Sequence, residues 1–285
     1  RRDIESNTLA RHDEDEVVTR NRERRLVAWN RTVQRDLTGA VVSITAIGED
    51  TNGALLRVAC ASAGVDLSPA FVTEEPTGTY LAVLDETGEM VSAVSDMRAM
   101  DALGPSHLAE QADDLARADI LVADCNLTVE CLSWLAAFAA RENIRLLIEP
   151  VSVAKAVKLL EFPIEEPLFA ITPNMQQLDA VAGGDLARLH ALGFANIVLH
   201  RGHEGALASD GRNVTKVASV PVADNADVTG AGDAAVAGLV WGLLDGRSLA
   251  EAARLGQCAA AIKLSSSQSV ASALSRDHLL RMAGS

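Results

Sequence analysis

Beyond residue 39 the chain alternates short β-branched apolar runs with longer stretches in which apolar positions return every three or four residues. The runs at 40–47, 120–123, 144–148, 169–171 and 197–200 predict strands. The periodic stretches predict helices over 54–63, 106–116, 128–141, 154–160, 175–182, 186–192, 234–244, 249–264 and near 276–282. Phe71-Val72, 79–84 and 89–94 read as further short strands, the last two joined by the turn Asp85-Glu86-Thr87-Gly88. A small hairpin is expected at 206–217. Punctuation agrees with this reading: Gly64 and Gly183-Gly184 close helices, and Pro105 precedes one.

Apolar strands alternating with amphipathic helices predict an α/β fold, a mainly parallel sheet covered by helices on both faces. Ligands of such sheets bind beyond the carboxyl ends of the strands. Residues 1–38 read differently. Clusters such as Asp13-Glu14-Asp15-Glu16 and Arg22-Glu23-Arg24-Arg25 alternate in sign with few apolar anchors. A helix fits 23–37, where Leu26, Val27, Trp29, Val33 and Leu37 could share a face, and an arm or disorder fits the first twenty residues. The expected organisation is an atypical charged segment, 1–38, before one domain, 39–285.

Composition narrows the function. Apolar residues make up 48% of the 285, yet no run approaches the ~20 needed to span a bilayer. The charged start carries no apolar core of a secretory signal. Cys60, Cys125, Cys131 and Cys258 form no Cys-x-x-Cys pair and have no His at zinc spacing, so free thiols in a reducing cytoplasm are expected. His200 and His203 lack a partner at ligand spacing, and no protein-built metal site is expected. A net charge of −14 argues against a nucleic-acid partner, and one Tyr and three Trp make no stacking platform.

The chemistry concentrates in Asp227-Val228-Thr229-Gly230-Ala231-Gly232-Asp233, which runs into the long apolar stretch 234–244. Gly230 and Gly232 lack Cβ atoms, so the backbone can turn sharply and present bare N–H groups. Those groups lie where a helix begins, and unpaired donors and the helix dipole both favour an anion there. An acid at that mouth suits phosphoryl transfer, with the loop steadying phosphate charge and Asp233 taking a proton from the attacking hydroxyl. A plain Gly-rich helix start with an N-terminal Asp reads equally well from the loop alone.

Asp-x-Thr-Gly-Ala-Gly-Asp before a small-residue helix resembles the C-terminal signature of the ribokinase-like (PfkB-type) sugar and nucleoside kinases. It is not a Walker A loop, since no Gly-Lys-Ser/Thr follows the glycines. The resemblance implies a three-layer α/β/α sandwich with a small β lid over the sugar, here from strands near 71–94. It implies ATP, Mg2+ and, as a further candidate, a monovalent cation. It also makes Asp233 the catalytic base and Gly230, Ala231 and Gly232 the anion hole, with Thr229 beside the nucleotide. Gly48-Glu49-Asp50-Thr51-Asn52-Gly53 resembles the family's Gly-x-Asp-x-x-Gly segment.

Tyr80 to Met90, Asp96-Met97, Val122-Ala123-Asp124-Cys125-Asn126, Pro150 to Lys158 and Thr172-Pro173-Asn174 resemble one branch of the family, which acts on the 5′-hydroxyl of a nucleoside-like sugar. Asp96, Asp124, Asn126 and Lys155 are therefore the substrate candidates. Asn174, Gly202 and Gly205 are the candidates on the nucleotide side. Each has a plain structural reading too: Asp96 and Asp124 as helix caps, Asn126 as a turn residue, Lys155 as solvated charge, Asn174 as an N-cap, and the glycines as turn residues. The free edges of the lid strands offer a route to a homodimer.

Four features depart from the family pattern. No Gly-Gly segment for holding the sugar occurs in 1–38, Gln177 stands where a Glu is usual, His200 replaces a Ser or Thr, and Glu149 replaces an Asp. Loss of substrate positioning can cost roughly 7–11 kcal/mol of barrier lowering. The alternatives are thus a kinase-fold protein that binds nucleotide or nucleoside with little turnover, and a different sugar kinase of the family.

Overall fold

A computed structural model describes residues 32–35, 41–84, 90–222, 228–266, 270–271 and 273–284. The expectations for 1–31, for the turn 85–88 and for Asp227 lie outside these residues. Strand β1 (Thr32–Arg35) pairs antiparallel with β2 (Val41–Ile44), so the helix expected across 23–37 does not extend over 32–35. The β-branched run 40–47 is not one strand. It divides at Thr45 into β2 and β3 (Ala46–Gly48), because the Thr45 carbonyl turns to accept the Phe71 N–H at 2.8 Å. Strand β2 continues to β4 (Val65–Asp66) in parallel, and β3 pairs in parallel with β5 (Phe71–Thr73). Strands β6 (Thr79–Leu84) and β7 (Met90–Asp96) form the expected hairpin as a separate two-stranded sheet. Phe71-Val72 therefore belongs to the β3–β5 pair and not to that hairpin.

Strands β8 (Ile120–Asp124), β9 (Arg145–Glu149), β10 (Leu168–Ile171) and β11 (Phe194–His200) run parallel in sequence order. Strands β12 (Ala206–Ser209) and β13 (Val214–Val217) extend this sheet antiparallel to its edge. β1 lies alongside β8 at the opposite edge. The alternation along β8 and β9 divides the interior into two layers. Leu121, Leu146 and Ile148 pack with Leu132, Leu135 and Phe138 of the helix Val129–Glu142. Ile120, Val122 and Leu147 face Val236, Leu239 and Val240 of the helix Ala231–Leu244, and Leu255 and Ala259 of the helix Leu249–Leu264. Helices therefore cover both faces, as expected for this fold.

The helix Ala231–Leu244 is buried nearly all round from Ala234 to Gly242. Its glycines allow close approach of its neighbour: a Cβ on Gly238 would lie 2.5 Å from the Leu255 carbonyl oxygen, and one on Gly256 would lie 2.6 Å from that of Ala235. The helix begins three residues earlier than its apolar run, which places Gly232 and Asp233 in its first turn. The expected helix 106–116 is broken at Gln111 into Pro105–Glu110 and Ala112–Leu115.

Candidate active site

The carboxyl ends of adjacent strands bring two acids together, since Asp124 and Glu149 are register partners in β8 and β9. Asp124 is 5% exposed. Its Oδ1 accepts the Asn126 N–H at 2.9 Å, and its Oδ2 accepts from Asn126 Nδ2 at 3.1 Å. Asn126 Oδ1 in turn accepts a hydrogen bond from Lys155 Nζ. Lys158 Nζ donates to the Cys125 and Leu127 carbonyls at 3.1 and 2.9 Å, fixing the loop that carries Asn126. Three of the four substrate candidates thus form one hydrogen-bonded chain, Asp124–Asn126–Lys155.

Glu149 Oε2 accepts the N–H of Val151 at 2.8 Å, and Val151 has φ 65°. A β-branched residue in the left-handed region is strained, by about 1–3 kcal/mol. The loop after β9 holds this conformation at the strand end where ligands of α/β sheets bind.

The third acid comes from the helix mouth. Gly230 caps the helix Ala231–Leu244 with φ 84° and no side-chain hydrogen bond, leaving backbone groups as the only cap. The Ala231 N–H already donates to Val228 O at 3.1 Å, so of the three expected hole residues its amide is committed. A Cβ on Gly232 would meet nothing within 4 Å, and Thr229 and Gly232 are exposed; the mouth opens into space. Burial pushes the Asp233 carboxyl up to about 7, the Asp124 charge adds to this, and its own backbone N–H opposes it. Burial pushes Glu149 up to about 8, helped by Asp124 and Asp233 and opposed by the Val151 N–H and Lys155. Three carboxylates from separate segments therefore converge on one charged pocket, with Lys155 as the neighbouring cation. Burial holds the Lys155 ammonium below its usual range, while Asp124 works against that.

On the nucleotide side, Asn174 takes its cap geometry. Its Oδ1 accepts the Gln177 N–H at 2.9 Å, and Gln177 Oε1 accepts the Asn174 N–H at 2.8 Å. Gln177 is 4% exposed, so this position has a packed neutral amide. Asn174 also forms a parallel bridge with His200, whose N–H donates to Pro173 O at 2.8 Å. Burial pushes the His200 imidazole down to about 4, leaving a neutral ring whose Nε2 has no hydrogen-bond partner. Gly202 and Gly205 bound the short 3-10 turn that follows, with Arg201 paired to Glu204 beside it.

Asp96 is placed differently. Arg98 grips it with Nε and Nη2 at 3.0 and 2.8 Å and also reaches Glu75 at 3.4 Å, and this guanidinium holds the Asp96 carboxyl below its ordinary range. Asp50 accepts from the N–H groups of Gly53 and Thr77 at 2.7 and 2.8 Å and from Thr77 Oγ1 at 2.8 Å, which ties the 48–53 turn to the start of the hairpin. Sequence reasoning noted Glu149 only as a departure. Its register opposite Asp124, an acid ending each of two successive apolar strands, is the signal that could have placed it in the site. Among the described residues no cluster of three or more His, Cys, Asp or Glu could hold a metal ion.

A mainly parallel α/β sheet with a lid hairpin, a glycine mouth and a raised carboxyl at the strand ends defines a kinase-type phosphotransferase architecture. The sequence profile described as pfkB family carbohydrate kinase matches residues 31–276, and the chain belongs to that family. It is 32% identical over 234 residues to a pseudouridine kinase of Escherichia coli, covering 78% of this chain and 73% of the relative. It is 25% identical over 253 residues to a ribokinase of Haemophilus influenzae, covering 82% and 79%. Among solved structures, a carbohydrate kinase from Agrobacterium tumefaciens matches with TM-score 0.73 and 28% identity over 85% of this chain and 80% of that one. An Arabidopsis thaliana ribokinase complexed with ribose and ATP shares the fold at TM-score 0.73 and 20% identity, over 85% and 81%.

Proposed function

We propose that the protein transfers the γ-phosphoryl group of ATP to the 5′-hydroxyl of a nucleoside-like sugar, with pseudouridine the preferred acceptor. The observation that carries the reading is the open mouth at Gly230–Asp233, where an acid raised to about 7 stands beside exposed backbone. A base with that affinity is ionised in part near neutral pH and still holds a proton well, which suits general-base work. Asp233 takes the proton of the 5′-hydroxyl, and the amides of Gly230 and Gly232 donate to the phosphoryl oxygens. Asp124, with the Asn126–Lys155 pair behind it, orients the ribose hydroxyls. Asp96 enters this scheme only if the lid exchanges its Arg98 pair for a sugar hydroxyl.

ATP would supply the phosphoryl group, and magnesium would offset its charge. The residues present fit that pair: bare amides face the phosphates, and a magnesium ion held through phosphates and water needs no side-chain cage. Four free, buried cysteines fit a reducing compartment such as the cytoplasm. Among the described residues no helix is long and apolar enough to cross a membrane.

A second reading, a nucleotide binder with little turnover, draws on Gln177. Its side chain is spent on the Asn174 cap and brings no charge toward a metal-bound water. Magnesium, ATP and a panel of pseudouridine, uridine, adenosine, ribose and fructose separate the two, with ADP release and product mass as readouts. Phosphorylated pseudouridine formed at least about tenfold faster than phosphorylated ribose is expected. ATP binding without any acceptor-dependent ADP supports the second reading and overturns the first.

A further inference from the structure

Among the described residues, Asp124 and Lys263 are the only Asp, Glu, Lys or Arg that lie fully inside the protein. Asp124 belongs to the carboxylate cluster. Lys263 is 1% exposed in the last turn of the helix Leu249–Leu264, where the other buried positions are all uncharged. Lysine is rarely buried so completely, because removing an ammonium from water is costly without an opposing charge nearby.

The packing of the two long helices fixes what Lys263 faces. Gly242 meets Ala252, Gly238 meets Leu255 and Gly256, and Gly256 meets Ala235 and Leu239, so the helices run antiparallel. Lys263 lies seven residues beyond Gly256, two turns along the same face. The same step back from Ala235 and Leu239 reaches residues 228–232, the anion-hole loop. The buried ammonium is therefore level with the loop that would hold the phosphates.

The charge balance at the mouth gives that placement a role. Asp124, Glu149 and Asp233 gather there in a chain of net charge −14, which repels a polyphosphate. The nearby cations are engaged elsewhere, Lys155 with Asn126 and Lys158 with two carbonyls. We infer that Lys263 is a positioning residue for the nucleotide: its fixed charge, carried inside on a four-carbon stem, lies behind the 228–232 loop and supports those amides in holding phosphate. The inference rests on the reading of this mouth as a phosphate site, and deepens it by naming the charge that backs the loop.

The test uses the whole protein, with ATP affinity by calorimetry, turnover, and thermal unfolding without nucleotide. Lys263→Met should weaken ATP about tenfold or more and lower kcat about tenfold to a hundredfold, with the acceptor KM unchanged within about twofold. Lys263→Arg, which keeps the charge, should hold ATP affinity within about threefold of the wild type. In Lys263→Ala, added methylammonium should restore part of the ATP affinity, while tetramethylammonium, too large for the vacated space, should not. Unchanged ATP affinity in Lys263→Met overturns the inference. So does an equal loss in the Met and Arg variants accompanied by the same drop in unfolding temperature, since that marks a packing role. A wild type that binds ATP but turns over no acceptor sinks the transfer reading, and the affinities of the variants still decide the role of Lys263.

Discussion

Glu149→Gln isolates the electrostatics of the carboxylate cluster. The amide keeps an oxygen to accept the Val151 N–H, now accepted at 2.8 Å, and removes the charge. Glu149 moves from an ordinary 4.5 to about 8 on folding, chiefly by burial and then by Asp124 and Asp233. A carboxyl raised in this way binds its proton more tightly in the folded state. Its contribution to stability is complete below 4.5 and is lost as pH rises toward 8. Near pH 6 the unfolded chain has ionised and the folded one has not, a loss of about 2 kcal/mol; by about pH 8.5 the loss approaches 4–5 kcal/mol. Glutamine has no such loss, so the stability of the variant relative to the wild type should grow by about 2–3 kcal/mol over that interval. Urea unfolding at both pH values and constant ionic strength measures it, with the denaturant slope as a check that the same transition is compared. A difference that stays level or shrinks with rising pH would refute the raised carboxyl and the convergence it rests on.

The kcat/KM of the wild type should fall on the acid side with an apparent pKa near 7, because Asp233 must be ionised to accept a proton. Asp124→Asn should move that limb to lower pH, and a pH profile with the limb unmoved contradicts the coupling. Gly256→Ala forces a methyl to 2.6 Å from the Ala235 carbonyl oxygen and should destabilise the fold by about 1–3 kcal/mol in urea. Asn174→Ala removes a reciprocal helix cap and should cost about 1 kcal/mol; a loss of turnover far beyond that, at intact folding, would point to a direct role in the site.

The parallel core was plain in the sequence because β8 to β11 are buried on both faces and therefore read as continuous apolar runs. The helix mouth was plain because glycines followed by an acid and a long apolar stretch leave few other local structures. Thr45 was opaque, since a buried β-branched run looks the same whether or not the backbone changes sheets inside it. Periodicity at Leu26, Val33 and Leu37 suggested a helix, whereas the pairing of Val33 and its neighbours with β2 is a long-range contact that local pattern does not encode. Gln177 looked like a lost acid; its engagement with the Asn174 cap appears only once the turn is built. Nothing local distinguishes Lys263 from a surface lysine, because its burial depends on how closely the glycines of two helices let them approach.

The central claim is that the acid at the helix mouth receives the proton of a hydroxyl that attacks ATP. Comparing Asp233→Ala with the wild type, by acceptor-dependent ADP release alongside calorimetric ATP affinity, tests it most directly. The account predicts a rate loss of about a hundredfold or more with ATP still bound. An ATP-dependent rate that survives the substitution would contradict it.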